Sequence, residues 1–226
     1  MRHLPNITLI GVDCVDAERL ALAMEICLKD FSFGAVKLLT SLPSSSSHKV
    51  EIDPITSISQ YSTFILKELY KYIDSEFALI VQHDGFILNP DAWDDEFLAY
   101  DYIGAPWYTK ETGELSVGNG GFSLRSRKLF EFTAKDDFIS VDEADTTRHA
   151  HNEDWIICKL RREYVESKGI RFAPVELAHR FSIESNAYYG REWKGEFGFH
   201  GLHWTDIRAW LAAHPECGVQ NPLDQE

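Results

Sequence analysis

Phe77-Ala78-Leu79-Ile80-Val81 runs directly into Gln82-His83-Asp84-Gly85. Five apolar residues without alternation describe a strand covered on both faces, as in the middle of a parallel sheet. Polar residues at the C-terminal end of such a strand fall where open α/β sheets bind ligands. Asp84 there suits a divalent cation and, through it, a diphosphate. Gly85 lets the backbone approach a ligand closely. The plainer reading of the same four residues is a turn with a surface acid.

The segments on either side agree with this placement. Residues 6–12 (NITLIGV) are apolar and β-branched and read as a buried first strand. Asp16 caps a helix whose apolar positions are Leu20, Met24, Cys27, Leu28 and Phe31. A second apolar run, 35–40, completes a βαβ unit, so the early sheet is expected to be parallel. Residues 44–47, four serines, read as a loop, and helices are expected over 60–73 and 91–99. A short strand follows the glycine turn at 118–121, and a helix covers roughly 126–133. Residues 134–151 are polar and acidic and read as a loop. Asn152 is placed to cap a helix from Glu153 to about Ser167, with Gly169 beyond its end. A strand at 171–173 and an amphipathic helix near 205–213 complete the pattern. With no internal repeat and no second boundary, the chain reads as one domain of mixed α/β class.

Composition narrows the function. The chain has 226 residues, 44% hydrophobic and 13% aromatic, enough for a large core. Its net charge is −14. A domain this acidic lacks the basic footprint of a duplex binder, so nucleic acid is not an expected partner. From Asp74 to Asp101 there are eight carboxylates and no Lys or Arg; from Asp136 to Asp154 there are seven against Arg148. Such runs form solvated faces or hold cations. No apolar stretch approaches the roughly 20 residues of a membrane span. The N-terminus, MRHLPNITLIGVDC, does not read as a secretory signal. Cys14, Cys27, Cys158 and Cys217 form no CxxC pair, and Cys27 and Cys158 fit core positions. A cytoplasmic location is the expectation.

Four further clusters could carry chemistry. Gly118-Asn119-Gly120-Gly121 permits positive φ and leaves backbone amides open to a ligand, or is simply a tight turn. No Lys-Ser/Thr follows it, so it is not a Walker loop. Glu153-Asp154 in the first turn of a helix is favoured by the helix dipole, which also keeps a carboxylate ionised as a base. His149, His151 and Asp145 could form a metal cluster, or a plain polar loop. His200 and His203, near glycines and aromatics, could complete a metal site begun by Asp84.

In order along the chain, several longer motifs resemble those of the DUF5672 group. They are Gln82-His83-Asp84-Gly85, the run from Tyr100 to Trp107 (YDYIGAPW), Gly118 to Arg125 (GNGGFSLR), Asn152-Glu153-Asp154, Phe181-Ser182-Ile183-Glu184 and Phe199-His200-Gly201. That group is in turn similar to GT-A-fold glycosyltransferases. The resemblance implies a GT-A-like, Rossmann-like single domain with a mixed, mainly parallel sheet flanked by helices. Residues 1–100 would be its nucleotide-binding half and 101–226 its acceptor-side half.

It also implies roles. A nucleotide-sugar donor, UDP-linked by preference, would lie at Val12, Asp13 and Thr40, at the ends of the first two strands, and at Gln82, His83, Asp84 and Gly85. Asp84 and His200 would hold Mn²⁺ or Mg²⁺. Gln82 stands where the family of transferases has its first acid, and His83 where an aromatic is common. Trp107 and Gly118, Asn119, Gly120 and Gly121 would wall the acceptor and sugar site. Asp154, with Glu153 beside it, would be the base of an inverting transfer. The acceptor would be a hydroxyl of a glycan or lipid-linked glycan, reached by peripheral docking if membrane-bound. Three rivals share these residues: a metal-dependent hydrolase, a non-catalytic nucleotide- or sugar-binding protein on a transferase fold, and a transferase acting on nucleobases in DNA.

Overall fold

The structure is a computed structural model that describes residues 1–109, 113–147, 149–184 and 193–201. The strands are β1 (Arg2–Val12), β2 (Phe31–Thr40), β3 (Lys49–Glu51), β4 (Phe77–Val81), β5 (Tyr102–Gly104), β6 (Pro106–Thr109), β7 (Glu114–Val117), β8 (Phe122–Ser126), β9 (Ser182–Glu184) and β10 (Gly198–His200). The helices are α1 (Ala17–Leu28), α2 (Ile58–Lys67), α3 (Arg127–Lys135), α4 (Glu153–Trp155), α5 (Arg162–Ser167) and α6 (Val175–Phe181).

Six strands form the central sheet in the order β3-β2-β1-β4-β8-β5. β3, β2, β1 and β4 are mutually parallel, as the βαβ pattern predicts. β8 then pairs antiparallel with both β4 and β5. The glycine-rich turn before β8 therefore lies beside the C-terminal end of β4. That places residues of both halves of the chain at one sheet edge.

The unbroken apolar run of β4 has a direct cause. Leu79 and Val81 face a core shared with α1 (Leu20, Met24, Cys27), whereas Ala78 and Ile80 face a second core shared with α2 and α3 (Ile65, Phe130). Helices cover the sheet on both sides, so neither face needs polar residues. Burying each such aliphatic side chain contributes about 1.5–3 kcal/mol. Cys27 and Cys158 are buried, as expected.

Several expected boundaries move. β1 begins at Arg2, where largely exposed residues continue the ladder, and β2 begins at Phe31, which with Phe33 is buried in the strand instead of on the helix that the apolar spacing assigned it to. The 60–73 helix is an α-helix followed by a tighter 3₁₀ turn at Leu69–Tyr72, and 91–99 consists of two 3₁₀ turns, Pro90–Ala92 and Asp95–Ala99. Residues 171–173 make one bridge, Phe172 to Tyr102, rather than a strand. The helix expected from Glu153 to Ser167 is interrupted. After α4 the chain widens into a π-helical stretch, Ile156–Leu160, closed by the Arg161 amide on the Ile156 carbonyl at 2.9 Å, before α5 begins. π-helical turns concentrate at functional sites. The helix near 205–213, His203 and Cys217 lie outside the described residues.

Candidate functional site

β4 delivers Gln82 and Asp84 at its C-terminal end. The Gly85 amide donates to the Gln82 carbonyl at 3.1 Å, closing a tight turn. β10 then runs back along residues 84–88: Gly198 bridges Ile87, the Phe199 amide reaches the Phe86 carbonyl, and the Gly201 amide reaches the Asp84 carbonyl at 2.9 Å. Edge-on packing of Phe199 against Phe86, with ring centroids 4.8 Å apart, holds this return strand down. His200 is thereby carried to Asp84. The parallel register of β9 on β10 sets Glu184 opposite His200.

The His200 ring sits in a ring of polar contacts. Nε2 lies 3.1 Å from Gln82 Oε1 and 3.3 Å from Asp84 Oδ1. Nδ1 lies 2.9 Å from Asn119 Nδ2 and 3.6 Å from Glu184 Oε1. The Phe122 amide donates to Asn119 Oδ1 at 3.0 Å, which turns the Asn119 N–H toward the ring. The neutral ring then carries its proton on Nε2, between Gln82 and Asp84. Burial disfavours the charged ring, but the Asp84 and Glu184 carboxylates outweigh it and raise His200 to about 10. Burial likewise works against the Asp84 carboxylate, yet His200 holds it down at about 2. His83 is more exposed, its Nδ1 3.9 Å from Asp84 Oδ1.

Glycines make this crowding feasible. A Cβ on Gly121 would come within 2.1 Å of His200 Nε2 and 2.8 Å of Gln82 Oε1. One on Gly85 would stand 3.0 Å from the Gly121 carbonyl. The turn therefore packs against the cluster. Two of its amides are committed: the Gly118 amide bonds to the Ala105 carbonyl, and the Gly120 amide donates to Asp154 Oδ2 at 2.8 Å. Gly118 lies under the Trp107 indole, and Asn119, at φ 57°, is buried at 1% exposure with its amide on His200. This corrects the expectation that Gly118 and Asn119 face a sugar. They are supports, one for Trp107 and one for His200.

The helix bearing Asp154 is anchored differently from its sequence pattern. Asn152 makes no capping bond; instead Ser62 of α2 accepts the Glu153 amide at 3.1 Å. Glu153 is also corrected. Its carboxylate is buried and pairs with the fully buried Arg125 at 2.8 Å, so it does not point at a substrate. Arg125 stacks over Tyr102 with 4.7 Å to the centroid, and its Nε donates to Ser123. The electrostatics of Asp154 are corrected as well. Burial, with Glu153 and Glu184 nearby, pushes its carboxyl up to about 7, against the smaller pull of Arg125 and the Gly120 amide. Desolvation and like charge overcome the helix dipole.

Trp107 donates from Nε1 to Glu184 and lies 5.8 Å from Trp155, which in turn lies 5.6 Å from His149. At the far strand ends, Val12 and Thr40 are buried. Thr40 Oγ1 accepts the Leu42 amide, and Asp13 Oδ1 accepts the amides of Val15 and Asp16 at 2.7 and 2.9 Å. These two polar side chains brace the loops that follow β1 and β2. His149, His151 and Asp145 do not converge: Asp145 binds Thr147, and His151 meets the Asp142 carbonyl. Sequence reading missed Tyr61, Arg125 and the role of Glu184. Arg125 in an otherwise buried strand, FSLRS, was the available signal.

Among the described residues no three His, Cys, Asp or Glu side chains gather as a metal-binding group. Two do, Asp84 and His200, and the Gln82 oxygen joins them. Asp84 Oδ1 is buried without a hydrogen bond. The 3.1 and 3.3 Å separations are those of the Nε2 N–H facing the Gln82 and Asp84 oxygens. With its proton on Nε2 the ring offers a cation no lone pair there, and Asp84 Oδ1 is the open donor of the cluster.

A family model described as a protein of unknown function, DUF5672, matches residues 45–200. Two solved structures are similar over nearly the whole chain. One is a glycosyltransferase involved in the glycosylation of the major capsid of PBCV-1, with 14% identity, 93% of this chain and 98% of that one covered, and a TM-score of 0.53. The other is the galactosyltransferase LgtC in complex with donor and acceptor sugar analogues, with 15% identity, 93% and 94% covered, and a TM-score of 0.54. At such identities the likeness establishes the glycosyltransferase-like fold. No curated protein matches the chain.

Proposed function

This chain belongs to the DUF5672 family, and on its glycosyltransferase-like fold we propose that it moves a sugar from a nucleotide-sugar donor to an acceptor hydroxyl. One observation carries the reading. Gln82, Asp84 and His200 gather at the C-terminal end of β4, and Asp154 stands one glycine away, on the Gly120 amide.

The donor diphosphate lies at Asp84 and His200, with the nucleoside toward Asp13 and Thr40. UDP is the nucleotide tested first. A divalent cation held at Asp84 would neutralise charge on the leaving diphosphate. Asp154 accepts the proton of the acceptor hydroxyl as that oxygen attacks the anomeric carbon. A carboxyl near 7 is well matched to this task, being partly ionised at neutral pH yet basic enough to take a proton. The Gly120 amide fixes the Oδ2 oxygen, and the Arg125–Glu153 pair fixes the turn and helix that carry both groups. Glu184 holds Trp107 beside the base, where a glycan or lipid-linked glycan acceptor would lie. One attacking base on the acceptor side corresponds to inversion.

The test is turnover of a nucleotide-sugar panel, reading release of free nucleoside diphosphate with and without an acceptor mixture. Release that depends on acceptor and disappears in Asp154→Asn is expected. Release indifferent to acceptor would indicate a hydrolase, and nucleotide binding without any release would indicate a binding protein.

A further inference from the structure

With the donor diphosphate at Asp84 and His200, and Asp154 as base, the transferred sugar lies between them. That place is narrow. The Gly120 amide holds Asp154 Oδ2 at 2.8 Å, and the next residue, Gly121, packs on the His200 ring. The base and the donor-side ring thus rest on neighbouring residues, whose Cα atoms stand about 3.8 Å apart. Glu184 reaches the same place from β9. Its Oε1 lies 3.6 Å from His200 Nδ1, and its Oε2 accepts the Trp107 indole N–H. One carboxylate therefore adjoins both the donor-side ring and the acceptor-side indole.

The other polar side chains there already have their partners. Gln82 donates from Nε2 to the Tyr61 hydroxyl at 3.0 Å and turns its oxygen to His200. Asn119 uses its oxygen on the Phe122 amide and its NH₂ on His200 Nδ1. Asp154 accepts the Trp155 amide on one oxygen and the Gly120 amide on the other. Arg125 is fully buried on Glu153. Glu184 differs. Asn119 occupies the Nδ1 lone pair of His200, and 3.6 Å is beyond hydrogen-bonding distance, so the ring gives Oε1 no hydrogen bond. The Glu184 side chain is 21% exposed, within reach of a ligand.

An ionised carboxylate only accepts hydrogen bonds, so whatever it meets must donate. Sugar hydroxyls donate. A carboxylate on the sugar has no proton to give, and it would set like charge against Glu184 and Asp84. We propose that Glu184 reads hydroxyls of the transferred sugar and so sets the class of donor: a neutral sugar is taken and a uronic-acid donor is rejected. This rests on the donor-site reading above and adds which kind of sugar that site accepts.

The experiment is isothermal titration calorimetry on the full chain in one Mg²⁺ buffer. Two probe pairs differ only at C6: UDP-glucose with UDP-glucuronic acid, and GDP-mannose with GDP-mannuronic acid. UDP and GDP alone give the baseline. With whichever nucleotide binds, the neutral sugar is expected to bind at least about tenfold more tightly than its uronic partner. Glu184→Gln keeps an oxygen for the Trp107 N–H and turns an NH₂ donor to the sugar. It is expected to erase most of that ratio through tighter uronic binding, with the affinity for bare nucleotide unchanged. A merely structural role would weaken all three ligands alike. Equal binding of neutral and uronic donors by the wild type overturns the proposal, and that result needs no variant to fold. A ratio that survives Glu184→Gln overturns it too. If neither UDP nor GDP binds, the donor-site reading fails and this proposal falls with it. Nucleotide binding without preference between the sugars fails this proposal alone.

Discussion

Asp154→Asn should make the protein more stable, and by an amount that grows with pH. Asp154 carries its proton more tightly folded than unfolded, because burial and the nearby Glu153 and Glu184 raise it from 3.8 to about 7. Its stabilising effect is complete below pH 3.8, where both states are protonated. As pH rises toward 7, the unfolded chain releases the proton first and the folded state loses ground. Above 7 the loss is complete, at about 4 kcal/mol for a carboxyl carried this far. Asparagine has no such titration. It keeps an oxygen for the Gly120 amide, and whatever it costs at the Trp155 amide does not vary with pH. The stability difference between variant and wild type should therefore climb by up to about 4 kcal/mol between pH 4 and pH 8, and level off above 7. Urea unfolding at half-unit pH steps measures it. A difference that stays flat with pH, or falls, would refute the claim that Asp154 is held near neutrality by its surroundings. The same variant should lose transfer activity while retaining nucleotide binding, the usual tension between an active site and stability.

Three further outcomes follow from the site. Glu153→Gln leaves Arg125 buried without a counter-charge and should cost about 3–5 kcal/mol, seen in the same urea experiment; a loss under 1 kcal/mol would mean the pair is not desolvated. Gly121→Ala puts a methyl on His200 and Gln82 and should abolish nucleotide binding in a chain whose circular dichroism is unchanged; normal binding would contradict the packing of the turn on the cluster. Trp107→Phe removes the indole N–H that Glu184 holds, and should raise the KM for acceptor with little effect on that for donor; the opposite pattern would place Trp107 on the donor side.

The sheet was largely legible because its signals are local. The continuous apolar run of β4 and the strand–helix–strand spacing before it depend only on residues near each other in sequence, and both appear as parallel strands. The antiparallel β8 was not legible in direction, since an isolated FSLRS pattern does not say which neighbour it pairs with. At the site, Asp84, His200 and Asp154 stood out by residue type. Their surroundings did not. The helix-dipole reading of Asp154 ignored burial and the opposing Glu184, which arrives from a strand 30 residues later. Asn152 looked like a cap, but the Trp155 amide within its reach goes to Asp154 Oδ1, and the Glu153 amide goes to Ser62, 91 residues away. Asn119 looked like ligand-facing polarity within a glycine turn, and proved to be the hydrogen-bond partner of His200. Polar residues chosen by distant partners are the ones that local pattern misreads.

The central claim is that Asp84 and its neighbours form a nucleotide-sugar donor site. The most direct measurement is the melting temperature of wild type and Asp84→Ala with a panel of nucleoside diphosphates and nucleotide sugars, each with and without Mn²⁺. A ligand at 100 times its Kd, binding only the folded state, adds about 2.7 kcal/mol, well within detection. A shift selective for one nucleotide, strengthened by Mn²⁺ and lost in Asp84→Ala, is the predicted result. A folded wild-type protein whose melting temperature no nucleotide changes would contradict it.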